Sequence, residues 1–274
     1  MITLRPHQTR AVAAMQKHNK GQVIVPTGGG KTLKMIYDTM RQFRSETPQT
    51  VVVVAPRILL AEQLSSEFLE HITTAAVLHV HSGETHHFST TKPAEIYNWC
   101  RRAYKHQLIF TTYNSLQRLV DAEIDVDTIY FDEAHNSVQR HFFPATEHFS
   151  ANASRAYFFT ATPKHSTTIS KPGMNLPEVY GQVICQVPAP ELVEGGYILP
   201  PKVVVKQLAM VQDRQVIYQR DADNLMETID DQSISKILVC ARTTKQIIGL
   251  VSQSDFCLQL QQRGYSWMMI TAKT

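Results

Sequence analysis

Short apolar runs recur along the chain, and each gap between them is long enough for one amphipathic segment. QVIV (22–25), TVVVV (50–54), AAVLH (75–79), QLIFT (107–111), DTIYF (127–131) and AYFFT (156–160) are rich in β-branched or aromatic residues. Runs of this kind read as strands buried on both faces. Stretches with helical spacing lie around and between them, near 7–19, 31–44, 57–70, 94–104, 112–120 and 135–141. Strand and helix in alternation predict an α/β fold: a parallel sheet with flanking helices.

The rhythm breaks after Pro163. Pro172, Pro177, Pro188, Pro190 and Pro200 are interspersed there with Gly173, Gly181, Gly195 and Gly196. This stretch predicts loops, a strand near 181–187, a short helix near 189–195 and the edge of a domain. KVVVK (202–206) then reads as strand-like, and 212–230 as a mostly polar helix. KILVCA (236–241), a helix near 244–263 and SWMMIT (266–271) read as a second strand–helix–strand unit. The expected division is 1–205 for a first domain and 206–274 for the start of a second. A lone unit of that kind cannot cover both faces of its sheet, so the second domain is expected to be incomplete.

Composition adds bounds. Hydrophobic residues at 43% support a full core, and a net charge of +3 permits a nucleic-acid partner without indicating one. No run approaches the ~18 apolar residues of a membrane span, and the N-terminus lacks an apolar signal core. A soluble, cytoplasmic chain without a membrane partner is expected. Cys100, Cys185, Cys240 and Cys257 fit neither zinc-site nor disulfide-framework spacing and read as reduced, mostly buried thiols.

Two motifs carry chemistry. VPTGGGKT (25–32) follows a predicted strand and precedes a predicted helix. Pro26 and Thr27 lead into Gly28, Gly29 and Gly30, which let the backbone curl so that N–H groups face a phosphate chain. The helix start adds its positive dipole end. Lys31 can reach the β- and γ-phosphates, and the Thr32 hydroxyl can bind Mg²⁺. The general pattern G-x-x-x-x-G-K-[ST] fails at its first glycine, where Val25 stands. IYFDEAH (129–135) ends an apolar strand with two carboxylates at the sheet's carboxyl edge, where open α/β sheets bind ligands. Asp132 suits Mg²⁺, directly or through water. Glu133 is placed to orient and deprotonate an attacking water.

With both motifs in order, the chain resembles a superfamily 2 helicase of the DEAH-containing, restriction-type and phage-like kind. LRPHQ (4–8) resembles the adenine-holding segment, with Arg5 and Gln8 as its contacts. VVAPRILLAEQ (53–63), HSG (81–83) and TTYNSL (111–116) resemble segments that touch a nucleic-acid backbone. Arg57, Ser82, Gly83, Thr111 and Thr112 are the candidates there. TATP (160–163) resembles the segment that couples the nucleotide site to the second domain, which gives Thr160 and Thr162 that role, with His135 as relay. LVEGGYILPPKV (192–203) and KILVCARTTKQ (236–246) resemble the exit from the first domain and the entry to the second.

The resemblance implies two RecA-like domains binding ATP and Mg²⁺, with a nucleic-acid strand across both, DNA being favoured over RNA. Motifs V and VI are not found before Thr274, so an arginine finger is expected from a further region or a second chain. The 274-residue chain is expected to bind nucleotide and to hydrolyse it weakly. Two alternatives are a motor subunit of a restriction-type nuclease complex and a nucleotide-dependent binding fragment without hydrolysis.

Three further features have plainer readings. His79, His81, His86 and His87 read as a solvated loop near the nucleic-acid path in preference to a metal site. Arg101, Arg102, Lys105 and His106 read as a solvated helix end, and Trp99 and Trp267 as packing residues.

Overall fold

The computed structural model describes residues 2–102, 104–168, 171–200, 202, 203, 205, 207, 214–232 and 235–271. The chain divides into two compact units, Met1–Pro201 and Lys202–Thr274.

The first unit is built on seven strands: β1 (Lys20–Ile24), β2 (Thr50–Ala55), β3 (Ala76–Val80), β4 (Gln107–Thr112), β5 (Thr128–Phe131), β6 (Arg155–Thr160) and β7 (Val183–Gln186). All neighbouring pairs are parallel, in the order β3-β4-β2-β5-β6-β1-β7. Helices α1 (Pro6–Lys17), α2 (Lys31–Gln42), α3 (Ile58–Leu69), α4 (Pro93–Arg102), α5 (Leu116–Asp121), α6 (Phe143–Asn152), α7 (Pro177–Tyr180) and α8 (Ala189–Glu194) surround it.

The alternation of side chains along each strand explains why the apolar runs are continuous. Val52, Val54, Ile109, Ile129, Phe131 and Phe158 join one core; Val51, Val53, Leu108, Phe110, Tyr130, Tyr157 and Phe159 join the other. Each strand feeds two apolar layers, as a sheet covered on both faces requires. A buried polar network fastens α2 to the sheet. Arg155 meets Asp38 through two contacts of 3.0 Å, and Asp38 also accepts from the Tyr130 hydroxyl at 2.6 Å and Gln42 at 3.0 Å.

Six predicted strands and the first four predicted helices have observed counterparts, as do the short strand and helix after Pro163. The predicted helix at 135–141 does not: only a 3-10 turn forms at Ala134–Asn136, and α6 lies further on. The helix predicted from 112 starts at Leu116, because Thr111 and Thr112 complete β4.

The second unit departs further from expectation. It contains α9 (Arg214–Gln232), α10 (Thr244–Ser252) and α11 (Phe256–Gln262), and no strand among its described residues. The helix expected over 244–263 is broken at Gln253–Asp255. KILVCA and SWMMIT run without ladder partners, with Leu238 87% and Met268 81% exposed. In the KVVVK segment, residues 202, 203 and 205 carry no regular structure; 204 and 206, like 212 and 213 of the predicted polar helix, lie outside the described residues. A small core of Ala222, Met226, Ile229, Leu250, Phe256 and Leu260 joins the three helices.

Trp99 packs against the first unit's core, while Arg101 and Arg102 are exposed at the end of α4. The four cysteines are free thiols; Cys185 is buried, but Cys240 is exposed. Among the described residues no helix is long and apolar enough to cross a membrane.

Candidate active site

Strand order brings the two chemical motifs together. β6 lies between β5 and β1, so the loops leaving the carboxyl ends of these three strands are neighbours. The glycine loop leaves β1, the Asp-Glu pair leaves β5, and the Thr-Ala-Thr turn leaves β6.

The loop's shape depends on its glycines. Gly28 (φ +80°) and Gly30 (φ +71°) occupy the left-handed region that side chains disfavour. A Cβ on Gly29 would collide with Val25 and Leu192, and one on Gly30 with the Gln8 amide. Val25, the departure from the general motif, is fully buried and packs at the back of this turn. Two further groups hold the loop from behind. Lys34 Nζ donates to the Gly29 carbonyl at 2.7 Å and to that of Gly30 at 3.3 Å, and His7 Nε2 lies 3.1 Å from the Gly29 carbonyl. Burial lowers the Lys34 ammonium to about 8 and lowers His7 as well. Among the described residues, nothing accepts from the N–H groups of Gly28 and Gly30.

Lys31 opens α2, and its ammonium is ion-paired with the Glu133 carboxylate. Glu133 sits at φ +45°, a strained conformation for a residue with a side chain. Asp132 is fixed through its backbone. Its N–H donates to the Val54 carbonyl at 2.9 Å, and its carbonyl accepts from the Tyr113 hydroxyl at 2.9 Å. Burial pushes the Asp132 carboxyl up to about 6; Lys31 opposes the shift and Glu133 adds to it. His135 Nδ1 lies 3.0 Å from Thr160 Oγ1 and 3.4 Å from Glu133 Oε2. The buried Thr160 hydroxyl accepts the Thr162 N–H at 3.2 Å, while the Thr162 residue itself is exposed.

The other candidates fall around this centre. Pro26 is half-buried on the loop, and Thr27 is exposed there. Thr32 is half-buried in the first turn of α2, and among the described residues its hydroxyl makes no hydrogen bond. Arg5 is exposed, with its guanidinium 4.5 Å from the centre of the Tyr197 ring, while Gln8 is buried and accepts the Arg5 N–H at 2.8 Å. Arg57, Ser82 and Thr112 line one groove of about 430 Å³ with Asn114 and Ser115. Gly83 is half-buried against Ile58. Thr111 lies beneath the groove: it is fully buried, and its hydroxyl donates to the Val80 carbonyl at 2.9 Å.

Sequence reasoning missed His7, Lys34 and Tyr197. Lys34 looks like any lysine on an amphipathic helix, and its position one turn after Lys31 is the only signal it gives. The histidine reading needs correction: His79 and His81 are buried, not solvated, whereas His86 and His87 are exposed.

A fold with seven parallel strands, with a glycine loop and an acidic pair at one edge, defines the first unit as a RecA-like domain of the superfamily 2 helicase type. The family model described as "Type III restriction enzyme, res subunit" matches residues 1–165, and the chain belongs to that family. No curated protein matches the sequence.

Solved structures share the fold. The nuclease-deletion mutant of the Type ISP restriction-modification enzyme LlaGI, solved with a DNA substrate mimic, is 20% identical with a TM-score of 0.61; the match covers 86% of this chain and 23% of that one. The ATP-dependent Type ISP restriction-modification enzyme LlaBIII, bound to DNA, is 19% identical with a TM-score of 0.59, over 71% of this chain and 16% of that one. The Hef helicase domain of Pyrococcus furiosus is 16% identical with a TM-score of 0.54, over 96% of this chain and 54% of that one. The chain therefore spans less than two thirds of each.

Proposed function

We propose that the protein is an ATP-hydrolysing motor that acts on nucleic acid, with DNA as its track. The observation that carries this reading is the convergence of Lys31, Glu133 and the glycine loop at one sheet edge. The loop fits a triphosphate because its free N–H groups and left-handed glycines form an anion cradle that side chains would fill. Lys31 holds the β- and γ-phosphates, exchanging its Glu133 partner for them. Thr32 and Asp132 are an oxygen donor pair of the kind Mg²⁺ takes, and the ion, when bound, neutralises charge on the phosphates. Glu133, released from Lys31, orients water and accepts its proton.

Gln8 and Arg5, with Tyr197, form the adenine side. His135 and Thr160 relay the state of Glu133 toward Thr162. Arg57, Ser82 and Thr112 receive backbone phosphates, with Gly83 at the rim. Residues 206–274 belong to a second RecA-like domain.

The test is Mg²⁺-dependent binding of a fluorescent ATP analogue by the chain, followed by single-turnover hydrolysis with duplex DNA or with RNA. Lys31→Ala is expected to abolish binding. Glu133→Gln is expected to retain binding and lose about 10²–10⁴-fold in hydrolysis. Unchanged binding and turnover in both variants overturn the proposal.

A second reading is the motor part of a restriction-type nuclease assembly. It is favoured by the family match and by the two restriction-modification enzymes that share the fold. ATP-dependent DNA cleavage by an assembly containing this chain supports it, and translocation without cleavage counts against it.

A further inference from the structure

We propose that Glu62, His79 and His81 form a binding site for a divalent transition-metal ion of the zinc class, separate from the nucleotide site. Glu62 lies on α3, while His79 and His81 stand two residues apart at the end of β3 and so face the same side of the strand. Their donor atoms converge. His79 Nδ1 lies 2.9 Å from Glu62 Oε1, His81 Nε2 lies 3.0 Å from the same oxygen, and the two nitrogens are 3.1 Å apart. Around a tetrahedral ion with bonds near 2.0 Å, ligand atoms sit about 3.3 Å apart. Opening the triangle by a few tenths of an ångström would admit the ion.

Two observations favour an ion over a hydrogen-bonded cluster. Glu62 Oε1 is buried and accepts no well-aligned hydrogen bond, although two ring nitrogens lie 2.9 and 3.0 Å from it. A buried carboxylate oxygen left in this state is costly, and a cation within the triangle satisfies it. Both rings are also buried beside that carboxylate.

The outer contacts suit the assignment for His79. With its proton on Nε2, the ring donates to Ser65 Oγ at 2.9 Å, an outer contact of the kind that orients a metal-bound histidine, and its Nδ1 lone pair faces His81 Nε2 at 3.1 Å, where an ion would replace that ring's N–H. His81 behaves differently, because its Nδ1 lies 3.2 Å from the Gly83 N–H, which donates to it. The neutral ring then carries its proton on Nε2. Metal binding moves that proton to Nδ1, and the Gly83 N–H must turn away. Occupancy is thus linked to the Ser82–Gly83 turn beside the groove that Ser82 lines.

The experiment titrates Co²⁺ and Zn²⁺ into chain purified without a metal-affinity tag and stripped with chelator. One Co²⁺ per chain is expected, with the visible absorption of a low-symmetry nitrogen–oxygen site, displaced by Zn²⁺. Glu62→Gln removes one ligand at a partly exposed helix position and is expected to weaken Co²⁺ binding by at least about tenfold. His81→Gln should do the same, with Glu62→Gln deciding if that variant misfolds. Asp132→Asn should leave Co²⁺ binding intact, since it belongs to the other site. Failure of the folded chain to bind Co²⁺, or equal affinity in Glu62→Gln and the parent, overturns the proposal. So does loss of the Co²⁺ signal in Asp132→Asn alone. None of these outcomes depends on ATP hydrolysis, so the nucleotide assignment stands or falls separately.

Discussion

Asp132 shows at the scale of one residue how the proposed function opposes stability. Its carboxyl is raised from 3.8 to about 6 because burial penalises the charge more than Lys31 relieves it. Between those values the folded chain binds more protons than the unfolded one, so stability falls as pH rises through that window and stays lowered above it. Asp132→Asn removes the buried charge without changing its shape. In the absence of nucleotide and divalent ions at pH 7.5, the variant is expected to melt higher than the parent, by about 2–4 °C per kcal/mol relieved. Its Mg²⁺-dependent affinity for nucleotide is expected to collapse. A melting temperature equal to or below that of the parent, measured by scanning calorimetry, contradicts the burial argument. The same titration predicts that Mg²⁺-dependent nucleotide binding by the parent weakens as pH falls through about 6. The Asp-Glu pair was legible from sequence because it ends an apolar strand downstream of the glycine loop, in the order a nucleotide site requires. The raised carboxyl was not, since burial is set by how the strands and loops around it pack, not by the local sequence.

The scale of the element is where α2 matters most, because it carries Lys31 and has to be held in register with the sheet. Two attachments do this. At its front, Lys34 ties the loop carbonyls of Gly29 and Gly30. Lys34→Met keeps the length and the apolar stem but removes the donor. Losing hydrogen bonds worth about 1–1.5 kcal/mol should raise the nucleotide Kd by about five- to tenfold while the fold is kept. An unchanged Kd in a fluorescence titration would show that the glycines alone set the loop. Toward its end, Asp38 is 2% exposed and faces Arg155 of β6. Arg155→Ala leaves that carboxylate buried without its cation and should cost about 3–5 kcal/mol, read from urea denaturation. A cost below about 1 kcal/mol would mean that Tyr130 and Gln42 suffice. Periodicity located α2 from sequence, but neither attachment, because the Lys34 contacts depend on how the glycine loop folds and Arg155 is brought to Asp38 by strand order. Periodicity also failed at α6, whose FPATEHFSAN sequence has little amphipathic contrast and carries Pro144 in its first turn. Tertiary packing of Phe149 and Ala145 decides that helix.

The two units of the whole molecule differ in how much of their folding information they contain. Met1–Pro201 closes both faces of its sheet with its own helices, and both large cores consist of its residues. Among its described residues, Lys202–Thr274 has one small core of six buried side chains. KILVCA and SWMMIT have the β-branched and aromatic composition of strands, and this is why they were read as such. A strand, however, is a relation between segments: its N–H and C=O groups need a neighbour, and among the described residues none is supplied. Helices satisfy their own backbone, which is why α9, α10 and α11 form where the strands do not. The consequence can be measured by cutting the chain after Pro201. The fragment Met1–Pro201 should retain a single cooperative thermal transition and the nucleotide affinity of the 274-residue chain, since Gln8, Lys31, Asp132 and Glu133 and both cores lie within it. The fragment Lys202–Thr274 should show helical circular dichroism, bind the dye ANS through its exposed Leu238, Met268 and Ile270, and unfold without a sharp transition. Cooperative unfolding of that short fragment would refute the view that its strand-like segments lack partners, and aggregation of Met1–Pro201 would refute the self-sufficiency of the sheet.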